Sequence, residues 1–354
     1  MATTQQNNRI LSLDIIKCLA IFLVLWGHAI QHLLESPAQD NYLFRFISSF
    51  HMPLFMSIAG FFAVSAHKHP PVKFLLRKGM ELVLPAVTMS IILVAVRWMM
   101  QGCAGMPDMS GFSGWFWFLK SLFICFLMYV VAIRFDKFTW VAIAGMLLIS
   151  QCIGFCGVNR MFPFFVTGII LRRLFPAIQA RSGYVTAASG ILFILMLTGW
   201  DARYFGVPGG FHPLMDFIAG RNPGYAWHNL YMFLIGCAGT IFMLAGTDLL
   251  TRKATHIPGI QTISRIGQNT KGIYILQVII LENVAASFFK MDYLHSEVFN
   301  WIVSPLLSLG VLYLCMLISG ILRKNRVIAL LTLGDIPKNT HPGKEEGVKN
   351  NCCR

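Results

Sequence analysis

Charge is what this sequence lacks. Only 12% of its 354 residues are charged, about half the ~25% usual for soluble globular proteins. That scarcity, beside 56% hydrophobic residues, excludes an ordinary soluble enzyme and excludes intrinsic disorder, which needs the opposite composition. Acidic residues are the scarcest: 15 Asp and Glu stand against 29 Lys and Arg, for a net charge of +14. The excess is not a nucleic-acid signature, because basic residues in an apolar chain first report membrane topology. The nine cysteines include no CxxC pair. Most lie in apolar runs and read as small buried hydrophobes, not a disulfide or metal framework. Cys352-Cys353 is either a lipidation site or the end of a loose tail. A cleavable signal sequence is not expected, since the first apolar run carries Asp14, Lys17 and His28. No polar stretch is long enough for a soluble domain, and no internal repeat is visible.

What is there are apolar runs of membrane-spanning length, about 20 residues each. Ten are expected, at 10–33, 43–66, 80–100, 115–134, 138–157, 161–176, 184–200, 228–247, 270–289 and 300–322. The fold class is therefore all-α: a polytopic membrane protein with a bundle of about ten transmembrane helices over 1–322, followed by a polar, loose tail over 323–354. With the N-terminus inside, 20 Lys and Arg of the connections and tail fall on the inside and 5 on the outside. That bias places both termini in the cytoplasm.

Ionisable groups inside a bilayer are costly and usually face a protein interior. In the first span Lys17 and His28 are eleven residues apart, three turns, so they share one helix face about 16 Å apart along the axis. Asp14 lies on the same stripe. It reads as an ion-pair partner of Lys17, whereas His28 reads as a functional group. In the second span His51 falls at a depth similar to His28. Pro53 removes a backbone hydrogen bond there and is expected to kink or open the helix, with His51 either functional or capping the freed carbonyl. Glu282 and Asn283 sit in the outer half of the ninth span, where a carboxylate needs a partner. Glu282 either assists a histidine or is solvated at the interface. Lys73, Arg77 and Lys78 begin a helix on the inner face. They suit phosphate binding as well as plain positive-inside topology. Trp115, Trp117 and Phe118 read as an aromatic belt, with Lys120 snorkelling beside them. The connection 201–227 carries aromatic, acidic and basic residues of the kind that bind sugars or simply fill an ordered loop.

Together these pieces resemble the membrane-bound acyltransferase-3 family, nearest its fucose 4-O-acetylase-like branch of sugar O-acetyltransferases. The resemblance is carried by Leu13-Asp14-Ile15-Ile16-Lys17 through Trp26-Gly27-His28 and by Phe50-His51-Met52-Pro53-Leu54-Phe55 through Gly60-Phe61-Phe62. Supporting matches are Phe74 to Lys78 through Pro85, Trp117-Phe118-Leu119, Phe164-Phe165 through Gly168, and Ile266 to Thr270 through Ile273-Tyr274. The resemblance implies acyl transfer from cytoplasmic acetyl-CoA to a hydroxyl of a cell-surface glycan or lipid-linked sugar, in a bacterial cytoplasmic membrane. It makes His28 the essential histidine, with His51 or Glu282 orienting it or stabilising charge. It puts Lys17, where many relatives have arginine, on the donor path, and Arg77 and Lys78 on the CoA phosphates. Two family positions differ here. Lys120-Ser121 follows the Trp-Phe-Leu element where many relatives have a Glu, and Gln277 stands where many have a His.

The expected mechanism has neutral His28 taking the acceptor's proton, a task suited to an unperturbed imidazole pKa of about 6.5. An acetyl-imidazole intermediate is the covalent alternative. No ligand set with metal-site spacing is seen, and no metal or nucleic acid is expected. The lipid bilayer and a glycan or glycolipid acceptor are the expected partners. A permease or exporter for a glycan or lipid-linked sugar is the rival reading. It is weakened by the missing repeat symmetry.

Overall fold

Inside a bilayer no water is available for backbone N–H and C=O groups, so apolar runs close their hydrogen bonds internally as helices. The computed structural model describes residues 2–103, 105–200, 224–253, 259–291 and 295–336. Side chains are described from Ser12 onward and, in the helix that starts at Gly224, from Leu230. Among the described residues there is no strand. In chain order the helices are α1 (Ala2–Leu33), α2 (Tyr42–Ser48), α3 (His51–Ala63), α4 (Pro71–Met100), α5 (Trp117–Ala132), α6 (Thr139–Gln151), α7 (Val158–Ala180) and α8 (Ser182–Thr198). They continue with α9 (Gly224–Lys253), α10 (Ile260–Gln268), α11 (Thr270–Phe288), α12 (Ser296–Leu322) and α13 (Arg326–Leu333). Eight of the described helical stretches are long and apolar enough to cross a membrane. The chain is an all-α, multi-pass integral membrane protein. Large apolar side chains such as Ile91, Leu148, Leu192, Leu195, Leu306 and Leu317 face outward, the surface a bilayer covers.

The ten expected spans all fall on helices, with adjusted bounds. Trp117–Gln151 is one 35-residue stretch by length and composition. A straight helix of that length would reach about 52 Å at 1.5 Å per residue, well beyond a ~30 Å apolar core. The stretch breaks at Asp136 (φ 42°, ψ −108°), giving α5 and α6, which pack against each other. The fifth span ends at Gln151, not at 157. The sixth is longer than expected, and α8 has 17 residues.

Three local expectations are corrected. Pro53 does not kink a helix: the chain breaks at Ser49–Phe50, and Pro53 sits in the first turn of α3, where N–H groups have no intrahelical partner to lose. Phe118 is not in an outer belt. It is buried and packs edge-on against Phe55 and Tyr274. Residues 323–336 are not a loose tail. Their helix α13 buries Ala329, Thr332 and Leu333 against the bundle, because Arg326–Leu333 carries an apolar stripe, with Asn325 capping its start. Residues 337–354, including Cys352 and Cys353, lie outside the described residues. So do the side chains of the 201–227 connection.

Two glycine contacts set the helix spacing at the centre. A Cβ on Gly60 of α3 would stand 1.9 Å from the Phe165 carbonyl oxygen, and one on Gly168 of α7 would stand 1.9 Å from the Ser57 carbonyl oxygen. Ser57 Oγ also donates to the Phe164 carbonyl at 3.0 Å. The reciprocal spacing, Ser57 to Gly60 and Phe165 to Gly168, lets two backbones touch, as small residues do between membrane helices. Gly60→Ala and Gly168→Ala should each destabilise the protein by about 1–3 kcal/mol through overpacking. Gly145→Ala, with no heavy atom within 4 Å of the added Cβ, should be neutral or stabilising. Thermal unfolding in detergent reads the difference.

Candidate active site

Helix α1 is the hub of the bundle, touching α2, α3, α9, α10, α11 and α12. Successive residues on a helix point about 100° apart, so Trp26-Gly27-His28 address three neighbours. Trp26 Nε1 donates to Ser304 Oγ at 2.8 Å and to the Asn300 carbonyl at 3.1 Å, tying α1 to α12. Gly27 admits Ile47, whose Cγ2 would be 3.2 Å from an added Cβ. His28 is left facing α11.

There His28 Nδ1 meets Glu282 Oε1 at 3.3 Å. His32, one turn on, brings its Nε2 to 3.9 Å from Glu282 Oε2, and the two rings lie nearly parallel, 5.6 Å apart. One carboxylate thus serves two imidazoles, an oxygen to each. The His28 contact is at ion-pair distance and lies off a hydrogen-bond axis, so the enclosed Nδ1 has no hydrogen-bond partner among the described residues. Catalytic contacts of this kind often tighten only once substrate is bound. With Nδ1 enclosed and 22% of the side chain exposed, the open part of the ring lies on its other atoms.

Glu282 is positioned by a change of winding. Residues Val278–Ala285 form a π-helix, in which hydrogen bonds run from i to i+5. In an α-helix, residues five apart stand about 140° around the axis. The wider turn brings them together instead, and Gln277 Nε2 donates to Glu282 Oε1 at 2.8 Å. Asn283 Nδ2 likewise donates to the Val278 carbonyl at 2.7 Å. Gln277 is fully buried, and its own Oε1 has no partner among the described residues. Linear spacing did not reveal His32 as a site residue, nor Gln277 as the support of Glu282. A reading at α-helical period turns Gln277 away from Glu282.

His51 is buried beside this group, within electrostatic range of His28. Its Nδ1 is 2.8 Å from the Ile47 carbonyl. A carbonyl only accepts, so Nδ1 carries the proton and Nε2 is left as an acceptor. The capped carbonyl is that of Ile47 at the α2–α3 break, not Ser49, four residues before Pro53. Pro53 itself packs against α9, where its Cγ would be 2.9 Å from a Cβ on Gly236.

The stripe Asp14, Lys17 and His28 spreads over three partners. Asp14 is structural: its Oδ2 accepts from Ser264 Oγ and Gln268 Nε2 of α10, each at 2.9 Å. Gly267 lies so close that a Cβ there would be 2.0 Å from the Asp14 carbonyl oxygen. Lys17 Nζ is 3.6 Å from Asp14 Oδ1 and 4.9 Å from the centre of the Phe62 ring on α3. Arg77 and Lys78 both pair with Glu81, at 2.9 and 2.6 Å. Lys120 Nζ is held by the Phe112 and Ser113 carbonyls of the preceding loop.

His28, His32 and Glu282 also form a metal-type ligand group, their donor atoms within 4.8 Å of one another. That is the ligand number of an open catalytic zinc site, assembled from a His-x3-His pair on α1 and a carboxylate 250 residues later. The i,i+4 spacing of His28 and His32 is a metal-ligand spacing legible in the sequence; the carboxylate that completes the group is not, being brought in from a distant helix. Asp14→Ala, which strips two charged hydrogen bonds from the α1–α10 contact, should lower stability by on the order of 2 kcal/mol. Asp14→Asn, which still accepts from Ser264, should lose less, as read by thermal unfolding.

Comparison with known proteins accords with this geometry. The acyltransferase-3 family profile, described as an acyltransferase domain, matches residues 10–320. The chain is also similar to "Nodulation protein NolL" of Mesorhizobium japonicum (strain LMG 29417 / CECT 9101 / MAFF 303099), 28% identical over 159 residues, 41% of this chain and 42% of that one. The protein of the same name from Sinorhizobium fredii (strain NBRC 101917 / NGR234) is 27% identical over 155 residues, again 41% and 42%. The match therefore spans less than half the length of these relatives. No solved structure matches. With the profile running from the first span to the last, and with the Trp-Gly-His turn of α1 aimed at a half-buried carboxylate, the chain belongs to the acyltransferase-3 family.

Proposed function

We propose that the protein is a sugar O-acetyltransferase of the fucose 4-O-acetylase-like branch, moving an acetyl group from cytoplasmic acetyl-CoA to a hydroxyl of a cell-surface glycan or lipid-linked sugar. The observation that carries the reading is His28 Nδ1 against Glu282 Oε1 at 3.3 Å inside an apolar bundle. The layout along the helices supports it. Lys17 and His28 are eleven residues apart on α1, and Lys271 and Glu282 are eleven apart on α11. Asp14 packs against Gly267, just before α11, and His28 faces Glu282, so the two helices run in the same direction. Cations then mark one end of the bundle and the acid–base group lies about 16 Å further on. The bias of basic residues supports a cytoplasmic cation end with both termini inside.

The donor's phosphates meet Arg77 and Lys78, its arm passes Lys17, and its thioester reaches His28. Glu282 holds the Nδ1 proton of His28, which leaves Nε2 as the base. The acceptor hydroxyl gives its proton to Nε2, its oxygen bonds to the thioester carbonyl carbon, and the C–S bond breaks. The thiolate then takes the proton from the imidazolium, so no net proton is released. His51, with its Nδ1 on the Ile47 carbonyl, keeps Nε2 as an acceptor within electrostatic range of His28. This reaction draws on no metal. Family membership supports transfer over the permease reading.

His28→Ala, inserted and folded, should lose about 10²–10⁴-fold in transfer, the usual worth of a positioned general base. The assay is release of CoA from labelled acetyl-CoA by the purified protein in nanodiscs. Normal release by His28→Ala would overturn the mechanism. Treatment with a chelator should leave the rate unchanged. A rate that falls and returns with added zinc would instead place a metal on His28, His32 and Glu282.

A further inference from the structure

At the Lys17 end of the bundle, two carboxylates are shared among four cations. Glu81 holds Arg77 and Lys78. Asp335 holds Arg323 at 2.7 Å and Lys271 at 3.7 Å. Lys271 joins the two halves: its Nζ also donates to the carbonyls of Glu81 at 3.3 Å and Gly334 at 3.0 Å. It lies within electrostatic range of Lys78 and Arg323 as well. The cluster therefore carries two positive charges that its own carboxylates do not balance. Its members remain reachable, with Arg77 largely exposed and Lys271, Arg323 and Asp335 partly so.

Asp335 comes from the far end of the chain. It follows α13 and Gly334, whose φ of +66° and close approach to Glu81 leave no room for a side chain: a Cβ would stand 2.3 Å from the Glu81 carbonyl oxygen. The C-terminal segment is thus docked on the turn that carries Arg77, Lys78 and Glu81, and its carboxylate lies among the cations. Arg323 also donates to Asn269 Oδ1, which holds the guanidinium in place. A fixed guanidinium that grips a carboxylate is equally suited to a phosphate.

We propose that Lys271 and Arg323 complete, with Arg77 and Lys78, a binding site for the phosphoryl groups of an incoming ligand, and that Asp335 occupies this site until the ligand displaces it. The inference rests on the reading of a CoA thioester as donor and extends it to the C-terminal segment. The ligand chemistry is that of a diphosphate; a multiply charged phosphoryl group outcompetes a single carboxylate for clustered cations.

The test uses the full chain in phosphatidylcholine nanodiscs, with inorganic pyrophosphate and acetyl-CoA as calorimetric probes. Arg323→Gln should weaken both by about tenfold, close to the ~1.4 kcal/mol per decade expected from the loss of one charged contact. Asp335→Asn should tighten both severalfold, because it removes the competitor. The opposite signs are decisive, since both variants break the same ion pair. If both weaken binding, the pair is only a clasp and the proposal is overturned, and the Asp335→Asn sign still decides if Arg323→Gln fails to fold. Acetyl-CoA turned over but bound equally by all three proteins would overturn the site and leave the transferase standing. Pyrophosphate following the expected signs without any CoA turnover would leave the site standing and remove the donor reading. Failure of both probes to bind, with phosphatidylglycerol in the disc raising the unfolding temperature of the wild type but not of Arg323→Gln, would overturn it in favour of a lipid headgroup.

Discussion

A carboxylate sunk in a membrane span must find its partners within the protein, and the arrangement around Glu282 follows from that requirement. Gln277 supplies a donor, His28 and His32 take one oxygen each, and the π-helical turn exists where these groups need to converge. A π-turn is less favourable than regular α-helix and tends to persist at functional sites. Its cost is offset here by giving a largely enclosed carboxylate its partners. The same turn aims Glu282 at α1, so meeting the electrostatic demand and orienting the histidine are one structural act.

That convergence depends on how close the helices come. Without a hydrophobic driving force between helices in lipid, packing decides their spacing. Gly60 against Phe165, Gly168 against Ser57 and Gly267 against Asp14 are backbone contacts that no larger residue allows. The first two draw α3, with His51 at its start, onto α7. The third draws α10 onto α1 and sets where α11 begins. The histidine–glutamate group at one end and the cations at the other are therefore placed by glycines that touch neither.

Much of this was legible in the sequence. Runs of about 20 apolar residues fixed the fold class, since a bilayer admits little else. His28, Glu282, Lys17, Arg77 and Lys78 stood out because charge inside or beside a span is expensive. Gln277 appeared only as a departure from a family pattern, because residues five apart diverge on an α-helix and the π-turn has no clear sequence signal. His32 lies close to the end of the first span, where a histidine is unremarkable until a carboxylate is found opposite it. Arg326–Leu333 was submerged in a tail whose overall polarity hid one apolar turn and a half.

From the order of residues alone it follows that the chain crosses a membrane many times, and which few polar residues a bilayer would not tolerate unpartnered. These are local properties, set by transfer of each segment from water to hydrocarbon. The partnerships come from packing. Asp14 went to α10 and not chiefly to Lys17, Glu282 came to His28 and His32, and Asp335 came to Lys271 and Arg323. The Asp14 and Glu282 pairings join residues from distant parts of the chain. They follow from how helices pack against one another in three dimensions, which spacing within a single helix does not encode.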